Sequence, residues 1–378
     1  MIPLLTYLIL FVTPLIIASW LPLRFEPPKV LFAEFIIELL VIFAIVGGKI
    51  SLKRADKWLI VLIGILFILS LGHLILNPSK QSLFGNIFRL QGTILFWHLL
   101  VLCFVAQNIF FRLKDKYIYL SAFIAICVGA LLFGSNRAGR WIGSLGEPNA
   151  LGAVAVFIFP LVFLSFKNIW IRAIGVIGAI GVINFTESKS ALIALGLELL
   201  LLALIKLFKE RYLLSVIICS LMLVLALGLP ILERIYFLKT NTDPMNFRFE
   251  DRAQIWQVAL ISGLDSPIYG SGLESIQDQI HKNAERLNFN AQYQAIDSSH
   301  NIFLDFWVWG GILGVGVIGV IGVIGIKNMV QKKMLLELTV FLGLITVLSF
   351  NPTTVSVLAG FWWIIGRSFG KGTHQNLT

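Results

Sequence analysis

The sequence predicts an all-α polytopic membrane protein with about twelve transmembrane helices and one large outer loop that carries short helices of its own. Three observations lead there. Of 378 residues, 58% are hydrophobic and 13% charged, where soluble domains carry about 25% charged residues; mean hydropathy is +0.89. The apolar runs are about 20 residues long, enough for a helix to cross hydrocarbon, whereas barrel strands are shorter and alternate. Residues 231–300 form the one long polar stretch, and an apolar run follows at once. The net charge of +10 is dispersed through short loops, as membrane orientation requires, and does not argue for nucleic acid.

The expected spans are 3–21, 30–47, 58–76, 92–110, 117–134, 149–165, 169–185, 189–206, 212–230, 301–326, 334–350 and 353–369. The first is read as a span because Ile2 to Trp20 has neither a basic n-region nor a small-residue cleavage site. Glu34 and Glu38, one turn apart on the second span, are costly in lipid; they mark either a structural pair or a second polar path. His73 and His98 read as hydrogen-bonded core residues. Cys103, Cys127 and Cys219 lie in apolar runs without metal-like spacing and read as small core residues. Spans seven and eight meet in a tight turn near Ser188, and span 301–326 is long enough to tilt or to begin above the lipid. The chain reads as a single membrane domain, 1–378, without a soluble domain or internal repeat.

Orientation follows from Lys and Arg. One set of loops with both tails holds 17 of them, and the other short loops hold 7, namely Arg24, Lys29, Lys80, Arg89, Arg137, Arg140 and Lys189. The positive-inside rule then puts both termini in the cytoplasm and the 231–300 loop outside, where its own basic residues do not count because long loops translocate regardless of charge. Within that loop, Ile255, Trp256, Ala259 and Leu260 predict a helix over 251–262 lying on the bundle. Pro267, Gly270 and Gly272 force a turn, and 276–287 is a second, polar helix.

Four outer clusters carry chemistry. They are Asn136 to Arg140 followed by Gly146 to Gly152; Thr186 to Ala191; Asp251 and Arg252 leading to Trp256 and then Gly270-Ser271-Gly272; and Ser299-His300-Asn301 running into Asp305. All lie near outer span ends, so they can converge on one cavity. Arg137, Arg140, Arg252 and Lys189 suit a polyanion, because arginine offers a permanently charged fork and lysine a point charge. A diphosphate leaving group needs its developing charge neutralised, and with no Asp-x-Asp pair in an outer loop, fixed cations are the better candidates than a metal. His300, titrating near neutral pH, suits a base that takes a proton from an attacking hydroxyl.

Each residue has a blander reading. Arg137 and Arg140 can snorkel at the interface. Lys189 can cap the end of a span, Arg252 can pair with Asp251 or Glu250, and His300 can serve only as a hydrogen-bonding residue at a helix start. Pro148 with Asn149 fits a simple helix N-terminus, and Trp256 fits a packing anchor.

In order, the clusters resemble the O-antigen ligase and O-antigen polymerase family of bacterial membrane glycosyltransferases. The matching stretches are GSLGEPNALGA at 143–153, TESKSALIAL at 186–195, DRAQIWQVAL at 251–260 with SPIYGSGLESI at 266–276, and SSHNIFLDFWVWGGILG at 298–314. The last is the most specific. The resemblance covers about residues 130 to 326, and the first 130 match only in hydrophobicity. It implies a metal-independent transferase, without a cofactor, that takes a glycan from undecaprenyl diphosphate at the outer face of the cytoplasmic membrane. The acceptor is lipid A core, another lipid-linked repeat or a protein. It also implies His300 as base and Arg252 as a diphosphate contact, with Lys189 where the family usually has Arg; Lys keeps the charge and loses the fork. The family's Gly-Asn-Pro-Asn is here Gly146-Glu147-Pro148-Asn149, which adds a negative charge beside a phosphate site. Asn149, Asn301 and Asp305 are supporting residues. These motifs do not separate ligase from polymerase. The competing class is a lipid-linked oligosaccharide flippase or other transporter, which predicts cations lining a midplane cavity.

Overall fold

The computed structural model describes residues 1–48, 55–109, 115–134, 139–208, 211–240, 250–273, 275–287 and 297–370. Arg137 lies outside them. Among the described residues the secondary structure is helical, without a strand. The helices are α1 (Ile2–Tyr7), α2 (Glu26–Val46), α3 (Lys57–Leu76), α4 (Lys80–Phe84), α5 (Thr93–Ala106), α6 (Lys116–Leu132), α7 (Pro148–Ser165) and α8 (Ile169–Thr186). They continue as α9 (Lys189–Leu207), α10 (Tyr212–Thr240), α11 (Glu250–Leu264), α12 (Ser275–Arg286), α13 (Ile302–Gln331), α14 (Leu335–Leu348) and α15 (Val355–Phe369).

Each expected span falls on a helix. Six of the helices, α3, α7, α8, α9, α10 and α13, are long and apolar enough to cross a membrane, against the twelve crossings expected. α5, α6, α14 and α15 are apolar but shorter. Two boundaries differ from expectation. The first span is not one regular helix: α1 passes into a π-turn at Leu8–Val12 and a 3-10 turn at Thr13–Leu15, where Pro14 offers no backbone donor to continue the ladder. α10 does not stop at residue 230 but carries Pro230 inside it and runs to Thr240.

α7 and α15 form the middle of the bundle, with Phe157, Phe159, Trp362 and Trp363 buried. Close helix approach depends on small residues: a Cβ on Gly366 of α15 would stand 2.0 Å from the Cys103 carbonyl of α5. Cys103 and Cys219 are buried and all three cysteines are free. By contrast α3, α8 and α10 turn Ile68, Ile177 and Val224 outward, the apolar exterior that lipid tolerates and water does not. His73 and His98 are hydrogen-bonded as expected, to the Tyr269 carbonyl at 2.8 Å and to the Ile94 carbonyl at 2.8 Å. His98 also meets Glu38 at 3.2 Å, which gives Glu38 the structural partner that one of its two readings required.

The loop helices pack on each other through Ile255, Val258, Ile280 and Ala284. What seats them is a break in α13. Gly311 has φ 59° and ψ −151° inside this helix, and the backbone of 267–272 fills the gap. The Ile312 amide donates to the Pro267 carbonyl at 2.8 Å; the Ser271 and Gly272 amides donate to the Val308 and Trp309 carbonyls at 2.9 and 3.0 Å. The break therefore leaves its backbone groups paired, as an irregularity at membrane depth requires. Only glycine fits on either side. A Cβ on Gly270 would lie 2.1 Å from the Trp309 oxygen, and one on Gly311 would lie 2.6 Å from Ile268 backbone, and both glycines have positive φ.

Candidate functional site

The turn 349–354 between α14 and α15 is where the separate clusters meet. Arg252, in the first turns of α11, donates from Nε to the Phe350 carbonyl at 2.6 Å and from Nη2 to Asn351 Oδ1 at 3.4 Å. One turn further along α11, Trp256 packs on the Phe350 ring, with centroids 6.0 Å apart. The same helix face thus docks and aims the arginine, and Trp256 is the packing anchor expected. Asn351 in turn donates to Ser190 Oγ at 2.7 Å, and Ser190 pairs with Ser188 at 3.1 Å. Ser188 accepts from the Ala191 amide at 3.4 Å and so caps α9. The tight α8–α9 turn is present, with Glu187 at φ 49° between the two helices.

The first cluster joins from the other side. Arg140 donates from Nε to the Thr186 carbonyl at 2.8 Å and from Nη2 to Asn149 Oδ1 at 3.1 Å. Pro148 begins α7 as its N1 residue, and Asn149, beside it, orients Arg140. Lys189 is the first residue of α9 and half-exposed there. The side chains of Glu250 and Asp251 lie outside the described residues.

His300 closes the loop in the left-handed region, with φ 58°, a conformation few residues other than glycine adopt without a compensating framework. That framework is local. Asn301 caps α13, accepting from the Phe303 and Leu304 amides at 3.0 and 3.3 Å. Asp305 reaches back to accept the Ser299 amide at 2.7 Å, and the His300 amide donates to Ser298 Oγ at 3.1 Å. Asn301 and Asp305 thus fix the histidine's backbone.

The electrostatics of His300 differ from the sequence expectation. Burial pushes its imidazole down to about 4, with the positive charges of Arg252 and Arg89 acting in the same direction and Asp297 against them. A charged imidazole is disfavoured both by desolvation and by neighbouring cations. At neutral pH the ring is therefore uncharged and able to accept a proton.

Arg89, counted from the sequence only as an outer charge, is part of the site. It ion-pairs with Asp297 and donates from Nη1 to the Thr353 carbonyl at 2.8 Å. Thr353 and Glu26 are tied to Gln91 at 2.7 and 3.2 Å. Glu147, the departure in the Gly-x-Pro-Asn motif, lies in the same neighbourhood. Burial raises its carboxyl above the ordinary range, with Glu26 and Asp297 acting in the same direction and Arg89 and Arg140 against them. A cavity of about 120 Å³ opens here, with Arg89, Asp297, Ser298 and Thr353 at its polar side and Phe96, Phe306 and Trp362 at its apolar side.

A family model described as O-antigen ligase matches residues 173–319. That stretch runs from α8 into α13 and contains Lys189, Arg252, His300, Asn301 and Asp305. The family read from the motifs is thereby borne out. Arg140, Asn149, Arg89 and the 349–354 turn lie outside the matched stretch. No curated protein matches the chain.

Proposed function

We propose that this chain, which an O-antigen ligase family model matches over residues 173–319, transfers a glycan from undecaprenyl diphosphate to an acceptor hydroxyl at the outer face of the cytoplasmic membrane, with both termini in the cytoplasm. The observation that supports the reading is that Arg252 and Arg89, from distant parts of the chain, are both fixed on the 349–354 turn and both act on the charge of His300. His300 accepts the acceptor's proton as its oxygen attacks the anomeric carbon. The bond from that carbon to the diphosphate oxygen breaks, and undecaprenyl diphosphate leaves with the electron pair. The anomeric centre inverts.

Arg252, Arg140 and Lys189, with Arg137 as the further candidate, stabilise the charge that develops on the leaving diphosphate, a task that fixed cations can perform in place of a metal. Binding that anion also offsets the positive field on His300, so the histidine becomes a stronger base once the donor is in place. An apolar crevice of about 270 Å³ between α9, α10, α13 and α14 begins at Ile302 and Phe303, just past His300, and suits the start of a polyprenyl tail.

The test follows release of undecaprenyl diphosphate by purified protein from a short lipid-linked oligosaccharide, with a panel of acceptors and EDTA present. His300→Ala is expected to abolish release while donor binding persists. Turnover that survives in this variant would remove His300 as the base. Loss of wild-type turnover in EDTA would overturn the metal-independent reading.

The transporter reading predicts groups left available at a broken helix. α13 is broken, but the Ile312, Val308 and Trp309 backbone groups at the break are already bonded to 267–272, which favours the transferase.

A further inference from the structure

A second and larger outer cavity, about 550 Å³, lies between the α3–α4 corner and the segment 271–279. It is outside the arginine–histidine cluster and largely outside the motifs. Its volume falls in the range of about 300–1,000 Å³ typical of small-molecule sites. Its lining is rich in hydroxyls and amides, among them Ser79, Ser82, Asn77, Ser271 and Gln279. No Lys or Arg lines it, and its one carboxylate is Asp278. That composition is wrong for a diphosphate, which needs cations, and wrong for a lipid tail, which needs apolar walls.

Two residues of this lining each carry a buried polar atom that lacks the partner such groups normally find. The Trp309 indole N–H is buried and has no partner among the described residues, in a side chain only 1% exposed. Gln279 Oε1 is likewise buried and without one. They are complementary, one a donor and the other an acceptor. The hydroxyls of Ser79 and Ser82 donate within the wall, to Ser82 Oγ and to the Asn77 carbonyl, which leaves them as further acceptors. A ligand that satisfies such a lining carries many hydroxyls, each both donor and acceptor, and no charge.

The cavity is also joined to the site. Trp309, Gln81 and Leu273 line both it and the 120 Å³ cavity, which reaches Asp297 and Ser298 beside His300. Its Ser271 wall is held rigidly, because the 267–272 backbone is bonded into the α13 break.

We propose that this cavity is a sugar subsite that binds a neutral, hydroxylated glycan residue through the Trp309 indole, Gln279 and the serine-rich wall. The proposal rests on the transferase reading for its purpose and names where a glycan sits when its reacting end is at His300. Donor and acceptor glycans share this chemistry, and the test separates them.

The full chain in lipid nanodiscs is titrated with methyl glycosides of glucose, galactose, rhamnose and N-acetylglucosamine, read by saturation-transfer NMR. Undecaprenyl diphosphate is titrated separately. At least one glycoside is expected to bind the wild type. Ser271→Trp, which fills the cavity, is expected to weaken that binding more than tenfold. Gln279→Ala, on the half-exposed face of α12, removes one neutral hydrogen bond and is expected to weaken it roughly three- to tenfold. Undecaprenyl diphosphate is expected to bind all three proteins alike. Absence of glycoside binding to the wild type, or equal binding to Ser271→Trp, overturns the proposal. Glycoside binding of the expected pattern without any binding of undecaprenyl diphosphate keeps the subsite and sinks the transferase reading. An undecaprenyl-diphosphate-linked trisaccharide that displaces the glycoside assigns the subsite to the donor; one that leaves it bound assigns it to the acceptor.

Discussion

Two arginines that are held in different ways act on the charge of His300. Arg252 comes from the loop helix α11 and is aimed by the Phe350 carbonyl and the Asn351 amide oxygen, at 2.6 and 3.4 Å. Arg89 comes from the link between α4 and α5 and is tied to the Asp297 carboxylate and the Thr353 carbonyl. Both use the same 349–354 turn as their foothold, and both act to keep the imidazole unprotonated. Arg89, however, arrives with Asp297, which acts on His300 in the opposite sense. Arg89, delivered with its counterion, holds the loop end in place, whereas Arg252 is the cation proposed to meet the leaving diphosphate.

The largest expected effect separates these two roles. Arg252→Ala removes a charged fork from the leaving diphosphate, and loss of one such stabilising donor costs about 10²–10³ in kcat. Arg252→Lys should recover part of this, since it keeps the charge and loses the fork. The measurement is kcat and KM for lipid-linked donor. Equal losses in Arg252→Ala and Arg89→Gln would erase the distinction between them.

Arg89→Gln should instead show first in stability. It strands the partly buried Asp297, and breaking such a pair by removing one partner costs a few kcal/mol, here about 2 because both side chains retain some exposure. Thermal unfolding in detergent reads this directly. The double variant Arg89→Gln with Asp297→Asn should regain much of the loss, because no uncompensated charge remains. A double variant less stable than Arg89→Gln alone would mean that Asp297 is held by something other than its ion pair.

The contrast also shows what the sequence could disclose. Arg252 was legible because it sits on a helix whose apolar spacing, Ile255 and Trp256 onward, is plain, and because its neighbours form a motif. Arg89 was not, because its partner is 208 residues away and its surroundings are ordinary outer-loop residues. The one signal was positional: an arginine in a short loop on the side where basic residues are scarce. The helices were likewise readable from hydropathy, but the break at Gly311 was not. A Gly-Gly pair inside an apolar run reads as small residues for close packing, and only the Gly270-Ser271-Gly272 backbone lying against it shows why Gly270 and Gly311 must be glycine. The 349–354 turn, with its Asn351-Pro352 step, read as nothing more than a break between two spans, although it is the anchor for both arginines.

The smallest effect is the most diagnostic of the electrostatic difference. The His300 imidazole is pushed down to about 4 in the donor-free protein. A base must be unprotonated to act, so the acid limb of kcat/KM, which reports the free enzyme, should lie well below the ordinary histidine range of about 6.5, near pH 4. The limb of kcat reports the donor complex, where the bound diphosphate offsets Arg252, and should lie at higher pH than that of kcat/KM. Asp297→Asn removes a negative charge that favours the imidazolium, so it should move the kcat/KM limb further toward acid. The corresponding titration of isotope-labelled His300, followed by NMR with and without undecaprenyl diphosphate, checks each shift without requiring turnover. A His300 that titrates near 6.5 in the donor-free protein would mean that the two arginines do not act on it as the geometry indicates. A limb that moves toward neutral pH in Asp297→Asn would mean that Asp297 does not act on the imidazole directly.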